Sequence, residues 1–372
     1  MEAPDWRGRR ILLTGHTGFK GSWLALWLHA LGAEITGLAL KPPTEPSLFD
    51  RASVAAVVDH IEGDIRDLSV VEAAFARSRP EVVFHLAAQP LVRLSYDQPV
   101  ETYATNVMGT VHVLDAARRS AGVRAVVAVT SDKAYENREW VWPYRESDPM
   151  GGHDPYSSSK GCSELVISAY RQSYFSSQRA PLLASVRAGN VIGGGDWALD
   201  RLVPDLVRAF EAGQAPIIRS PDAVRPWQHV LEALGGYIQI AERLLTGDRR
   251  FAEAWNFGPS DGDARPVSWI VEQMQARWGG AVDPVPFTGQ TPHEAGLLRL
   301  DSSKVRAALG WKPMLGLERA LDWIVDWHKT VGQGDARQVT ASQIDHYRQL
   351  TGQSERSGGT AESVGCTTTI FA

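Results

Sequence analysis

The sequence predicts an α/β fold: a doubly wound parallel sheet with helices on both faces, followed by a smaller C-terminal lobe. Three observations predict it. Short, continuously apolar runs alternate with helical patterns through the first half of the chain, as in strands buried on both faces. A glycine-rich loop follows the first run and opens a helix. After residue 193 the alternation loosens into loops bearing glycine, proline and tryptophan between shorter helices.

Ile11-Leu12-Leu13 reads as the first strand, residues 22–31 as a helix and residues 34–40 as the second strand. Runs at 57–62, 82–86 and 125–130 continue the strands, with helices at 68–79 and 100–121 between them. After Pro155 the pattern predicts a helix to about Gln178, then a strand over 182–187. Turns at Gly193-Gly194-Gly195-Asp196, Arg225-Pro226-Trp227 and Pro259-Ser260-Asp261-Gly262 mark the smaller lobe. The expected division is 1–187 for the sheet domain, with later segments returning to it, and 188–352 mainly for the second lobe. Residues 353–372 are rich in Ser, Thr and Gly without periodicity and read as a disordered tail.

With 372 residues, 44% of them hydrophobic and 22% charged, the chain has ample core for one large unit or two smaller ones. A formal charge of −5 gives no reason to expect nucleic acid or an anionic membrane as partner. The two cysteines, Cys162 and Cys366, do not make a disulfide framework, and no cluster has metal-ligand spacing. The N-terminus lacks a basic segment followed by an apolar core, and the run from Trp23 to Leu31 is too short to span a bilayer. A soluble cytoplasmic protein is the expectation.

Gly15-His16-Thr17-Gly18-Phe19-Lys20-Gly21 lies between strand and helix, where glycines let the backbone approach a pyrophosphate held at the positive helix end. This is a Rossmann-type dinucleotide loop, although its spacing is GxxGxxG. The acid that bonds the ribose of NAD at the end of the second strand is absent; Ala39-Leu40-Lys41-Pro42 stands there. Lys41 has two readings, a cation for the extra phosphate of NADP or a solvated loop residue. Asp64, with Ile65 beside it, is either an adenine ligand or an ordinary strand end. Leu86-Ala87-Ala88-Gln89 ends the fourth strand with small residues that let a cofactor pass close.

Tyr156-Ser157-Ser158-Ser159-Lys160 opens a helix, and i,i+4 spacing places Tyr156 and Lys160 on one face. A free tyrosine titrates near ~10, and a neighbouring ammonium favours its phenolate, so the pair can act as a base on an alcohol. Together with the glycine loop, Asp64, Leu86-Ala87-Ala88-Gln89 and Asn106, this pair resembles the extended short-chain dehydrogenase/reductases. Trp255-Asn256-Phe257-Gly258, Leu300-Asp301-Ser302-Ser303-Lys304 and Leu309-Gly310-Trp311-Lys312-Pro313 extend the likeness over nearly the whole chain. The resemblance implies NAD bound through the loop, Asp64, Ile65, residues 86–89, Asn106, Thr130, Tyr156 and Lys160. It also implies a nucleotide-sugar substrate in the second lobe.

Thr130-Ser131-Asp132-Lys133-Ala134-Tyr135 ends the fifth strand. Ser131 can hold a substrate oxygen during oxidation, and two further ionisable groups are what an elimination needs. The segment is similar to that of the sugar-nucleotide 4,6-dehydratases, and Ser131-Asp132-Lys133 resembles the branch acting on CDP-glucose. Gly15 to Trp23, Pro42 to Phe49, Ala88 to Arg93 and Arg225 to Val230 point to the same branch. That resemblance implies Asp132 as the acid and Lys133 as the base, which requires burial to raise the first pKa and lower the second. The other reading is an Asp132–Lys133 ion pair in which Lys133 only positions the substrate.

By the same resemblance Gln89, Arg93, Asn190, Arg201 and Arg225 bind substrate, the arginines suiting a diphosphate through their planar forks. Trp140, Trp142 and Trp227 could stack on a base or sugar, although most of the 13 tryptophans must be packing. His85 reads as buried strand filling. The helices over 100–121 and 156–178 match the pair that forms a four-helix homodimer interface in the resembling enzymes. Two rival functions are an NAD-dependent sugar-nucleotide epimerase, which needs no Asp132–Lys133 pair, and a non-catalytic dinucleotide sensor, which should lack Tyr156 and Lys160.

Overall fold

A computed structural model describes residues 4–280, 282–289, 296–332 and 334–352. The tail expected over 353–372, and Cys366 with it, lies outside the described residues. Strand β1 (Arg10–Thr14) leads through helix α1 (Phe19–Ala30) to β2 (Glu34–Ala39). Then come α2 (Leu48–Arg51), β3 (Asp59–Glu62), α3 (Leu68–Ser78) and β4 (Val82–His85). Helices α4 (Val92–Asp97), α5 (Pro99–Tyr103) and α6 (Gly109–Arg119) precede β5 (Ala125–Val129), and α7 (Pro155–Ser173) precedes β6 (Leu182–Ala188).

The second half holds β7 (Asn190–Ile192), α8 (Leu202–Glu211), β8 (Ile217–Ile218), β9 (Val224–His229), α9 (Val230–Leu245) and β10 (Ala254–Phe257). It closes with β11 (Ala264–Pro266), α10 (Val267–Trp278), β12 (Val285–Pro286), α11 (Ser303–Leu309), α12 (Leu317–Val331) and α13 (Ala336–Leu350). Seven parallel strands form the main sheet in the order β10-β6-β5-β4-β1-β2-β3. The chain winds outward from β1 to one side and from β4 to the other. The crevice beyond the carboxyl ends of β1 and β4 is therefore the place where such sheets bind ligands.

The apolar strands are continuous because both faces are covered. Ile11 and Leu13 join Trp23, Trp27 and the α9 residues Leu234 and Tyr237 on one side. Leu12, between them, joins Val71, Phe75, Val113, Leu114 and Ile167 on the other. A third cluster, from α8, α10 and α12, includes Leu206, Phe210, Ile270, Met274, Leu321 and Ile324. It lies beside a three-stranded sheet in which β9 runs parallel to β7 and antiparallel to β11.

Three expected boundaries are corrected. The helix predicted over 100–121 is interrupted by a π-helical turn, Ala104–Met108, between α5 and α6. Its widened ladder leaves the Asn106 carbonyl to accept from the Thr110 and Ser163 hydroxyls, at 2.6 and 2.8 Å. Helix α7 stops at Ser173 and not near Gln178, because Phe175 turns into the core. The strand expected from 57 starts at Asp59, after a 3₁₀ turn over Val54–Ala56.

Candidate active site

The glycine loop is shaped by contacts no other residue would permit. Gly15 has φ +79°, and a Cβ there would stand 2.7 Å from the Ala87 nitrogen. A Cβ on Gly21 would stand 2.1 Å from the Gly15 carbonyl oxygen. The loop thus packs against the end of β4, where Thr14 Oγ1 accepts from the Leu86 and Ala87 amides, both at 3.2 Å. Gly18 caps α1 without a side-chain bond, which leaves the first-turn amides turned outward for an anion.

Around the loop, His16 is buried with its Nε2 2.7 Å from His60 Nδ1; burial, with His60, holds its pKa down to about 3, so it is neutral. Phe19 packs against Gly193 of the second lobe. Asp64 accepts from the Arg66 amide and Nε, each at 2.8 Å, and Ile65 lies under Gly109. Lys41 pairs at 4.0 Å with Glu62 on the exposed surface, which favours the solvated-loop reading. His85 is buried between Thr14 and Thr110, at 2.8 and 3.1 Å.

Asn106 fastens this half to α7. Its Oδ1 accepts from the Gln89 amide at 2.8 Å, and its Nδ2 donates to the Gln89 carbonyl and to Ser159 Oγ. The Gln89 side chain donates to Thr102 Oγ1 and the Leu91 carbonyl, at 2.9 and 3.1 Å. A loop carrying Pro90 cannot satisfy all its own backbone groups, and the amide fills the gap.

Helix α7 begins at a built cap. Asp154 accepts from the Ser157 amide and hydroxyl, at 2.8 and 2.6 Å, and Pro155 sits where no amide is needed. Tyr156 and Lys160 follow, both buried, and the Tyr156 amide donates to Ser95 Oγ at 3.1 Å. Opposite them Ser131, Asp132 and Lys133 form the turn after β5. Ser131 hydrogen-bonds Tyr156 and donates to Asp132 Oδ1 at 3.0 Å. Asp132 is 3% exposed, and its Oδ2 has no hydrogen-bond partner.

Burial raises the Asp132 pKa, outweighing Lys133, Ser131, Lys20 and Arg225. Burial likewise pulls Lys160 down to about 8, helped by Lys20, and Lys20 itself to about 8, helped by Arg201. Burial pushes the Tyr156 phenol up to about 12, against the Ser131 hydrogen bond and Arg201. Desolvating the phenolate outweighs the favourable charges around it.

From the second lobe, the Gly193-Gly194-Gly195 loop is held between two tryptophans. Trp23 Nε1 donates to the Gly194 carbonyl at 2.9 Å, and the Trp327 ring lies against Gly194. This places Asp196, which pairs with Arg201 at 2.9 Å. Arg225, on β9, donates to the carbonyls of Val224 and Gly296, at 3.1 and 3.2 Å. Asn190 opens β7, half-buried. Arg93 is turned to Asp200 at 3.0 Å, where Arg219 also binds.

Lys20, Ser131, Asp132, Tyr156, Lys160, Arg201 and Arg225 therefore share one electrostatic neighbourhood. Trp227 donates to the Arg265 carbonyl as packing, Trp140 stacks on Tyr144, and Trp142 is exposed. Sequence reasoning missed Asp154, Asp196, Glu164 and Arg187. An Asp-Pro pair before a helix could have revealed the first; a charge inside a strand, Arg187, could have revealed the last. Among the described residues, no helix is long and apolar enough to cross a membrane, and no His/Cys/Asp/Glu group could hold a metal.

Comparison with known proteins adds to this geometry. Residues 11–258 match the model of the NAD dependent epimerase/dehydratase family. The chain is 53% identical over 351 residues to the CDP-glucose 4,6-dehydratase of Salmonella typhimurium strain LT2, spanning 93% of this chain and 98% of that one. Two solved structures share the fold. A Bacillus anthracis dTDP-glucose 4,6-dehydratase in complex with NAD has a TM-score of 0.73 and 22% identity, over 87% of this chain and 97% of that one. A Thermotoga maritima UDP-glucose 4-epimerase with UDP-glucose has a TM-score of 0.73 and 23% identity, over 87% and 99%.

Proposed function

This chain belongs to the NAD dependent epimerase/dehydratase family, and from that premise we propose that it is a CDP-glucose 4,6-dehydratase, a hydro-lyase. It converts CDP-D-glucose to CDP-4-dehydro-6-deoxy-D-glucose and water. The cofactor is NAD; held at the glycine loop, it would supply a hydride acceptor at C4 and the same hydride for C6. The open amides of α1, the cradle formed by Gly15 and Ala87, and Asp64 at the end of β3 fit that cofactor. Lys20, in the glycine loop, and Lys160, on α7, place two lysines on the side of the sheet where it would bind.

The observation that carries the reading is Asp132. A carboxyl that is almost wholly buried, with one oxygen unpartnered and its pKa raised by burial, suits a proton donor. In the proposed sequence, Tyr156 takes the C4 hydroxyl proton while Ser131 holds the oxygen. Lys133 then takes the proton from C5, Asp132 protonates the departing C6 hydroxyl as water, and Lys133 returns its proton to C5 as C6 is reduced. Arg201, Arg225 and Asn190 hold the diphosphate and sugar, with residues 1–187 serving the cofactor and 188–352 mainly the substrate. An epimerase has no use for Asp132 or Lys133.

Offering the purified protein CDP-, dTDP-, UDP- and GDP-glucose and following the alkali-induced absorbance of a 4-keto-6-deoxy sugar tests this. Product from CDP-glucose is expected. Reaction of dTDP-glucose alone, or a product that keeps its C6 hydroxyl, would overturn it.

The assembly proposed is a homodimer. Val100 (78% exposed), Tyr103 and Met108 on the α5–α6 segment, and Leu165 (62%) and Tyr174 at α7, leave apolar surface on the two helical segments expected to pair. The cytoplasm is the proposed location.

A further inference from the structure

Beneath the catalytic turn lies an ion pair that the chemistry above does not use. Glu164 sits on α7 one turn beyond Lys160, and Arg187 sits on β6; both side chains are 4% exposed. They meet as a two-pronged fork, Nε to Oε1 and Nη2 to Oε2, both at 2.8 Å. The remaining valences go to chosen partners. Thr130 Oγ1 donates to Glu164 Oε1, and Ser185 Oγ donates to Oε2 at 2.8 Å. Arg187 Nη1 donates to the Tyr135 hydroxyl at 2.6 Å, with the guanidinium 5.0 Å from that ring's centre.

Thr130 and Tyr135 bracket the turn Ser131-Asp132-Lys133-Ala134. One buried pair therefore grips both ends of the acid–base segment, and it does so from the helix that carries Tyr156 and Lys160. The grip continues into the second half of the chain. The Tyr135 hydroxyl donates to Asn256 Oδ1 at 2.7 Å, and Asn256 Nδ2 donates to the carbonyls of Tyr144 and Asp301. The Tyr156 end of α7 has supports of its own, Asp154 and Ser95, while the Glu164 charge also acts on Lys160, whose pKa it raises against burial.

A buried charge pair is seldom more stabilising than an apolar pair of the same volume, so stability alone does not account for it. What two rigid, charge-assisted forks supply is a fixed distance and angle. We propose that Glu164 and Arg187 are positioning residues for the elimination. They hold Asp132 and Lys133 against the C5–C6 side of the substrate, while Tyr156 is fixed from its own end of α7. This inference rests on the dehydratase reading.

The test compares holoenzyme carrying Glu164→Gln together with Arg187→Met, which removes the two opposite charges of the pair at once, with wild type on CDP-glucose. Product formation is expected to fall on the order of 10- to 100-fold. The absorbance of reduced cofactor during turnover is expected to rise several-fold, because oxidation continues while elimination lags. A parallel fall of both signals, or no change in either, would overturn the proposal. Tyr135→Phe, which leaves the Glu164–Arg187 fork intact, keeps the question answerable should the double variant not fold. It is expected to shift the same partition in the same direction, and an unshifted partition would count against the idea. Failure of wild type to convert CDP-glucose would instead overturn the dehydratase reading.

Discussion

At the scale of single residues, the site is a set of ionisable groups whose burial decides their protonation. Burial raises the pKa of Asp132, and it raises that of Tyr156 to about 12. Tyr156→Phe removes the only group placed to take the C4 hydroxyl proton, and kcat should fall by roughly 10²–10⁴-fold in the alkali-absorbance assay. Lys133→Met separates the two readings of that lysine. Loss of product with retained reduction of the cofactor supports the base, whereas unimpaired product leaves Lys133 only a positioning role. Much of this layer was legible, because Tyr156/Lys160 and Ser131-Asp132-Lys133 are short-range patterns. The pairings of Arg93 with Asp200, and of Gln89 with Thr102, were not, since side-chain partners are settled by tertiary contacts.

At the scale of elements, sequence reading located each sheet strand through residue 187 and misjudged where segments bend. The π turn at Ala104–Met108 leaves no mark in hydrophobic spacing, and the end of α7 depends on Phe175 finding the core. The β1–α1 turn is the least tolerant joint. Gly15→Ala forces both a left-handed backbone and a clash with Ala87, worth of order 1–3 kcal/mol. NAD affinity measured by calorimetry should fall about 5- to 100-fold, and an unchanged Kd would show that the turn can yield.

Helix α9 offers a pH test. Glu232 accepts from the Met314 and Leu315 amides and from the Tyr347 hydroxyl, at 2.8, 2.6 and 2.8 Å, and burial raises its pKa from 4.5 to about 7. The folded state keeps this proton where the unfolded chain has lost it. Its contribution is thus full below about pH 4.5 and is lost as pH rises through 7. Glu232→Gln should gain stability relative to wild type between pH 5 and pH 8, by up to about 3 kcal/mol in urea titrations. A difference that stays constant with pH would show that Glu232 does not titrate there.

Over the whole molecule, the two halves of the sequence are not two independent bodies. Helix α9 packs on β5, β6 and β10, and α13 packs on α1, so late segments complete the first core. A single calorimetric transition is expected, with NAD and CDP-glucose raising its midpoint together; two resolved transitions would contradict this. Leu165→Asp should shift the elution of a homodimer to that of a monomer on size exclusion, and an unmoved peak would place the interface elsewhere. The doubly wound layout was readable from alternation alone, yet the origin of the seventh strand was not. β10 is only four residues long and is separated from its neighbour β6 by about 65 residues.

That late strand has a consequence during synthesis. β6 is finished at Ala188, but its neighbour β10 begins only at Ala254, about 65 residues later. At about 5–20 residues per second, the open edge of β6 and the apolar face awaiting α9 stay uncovered for several seconds on the ribosome. An unpaired edge of this kind invites pairing between nascent chains. The sheet that carries the chemistry thus stays open to aggregation well after six of its seven strands have been made.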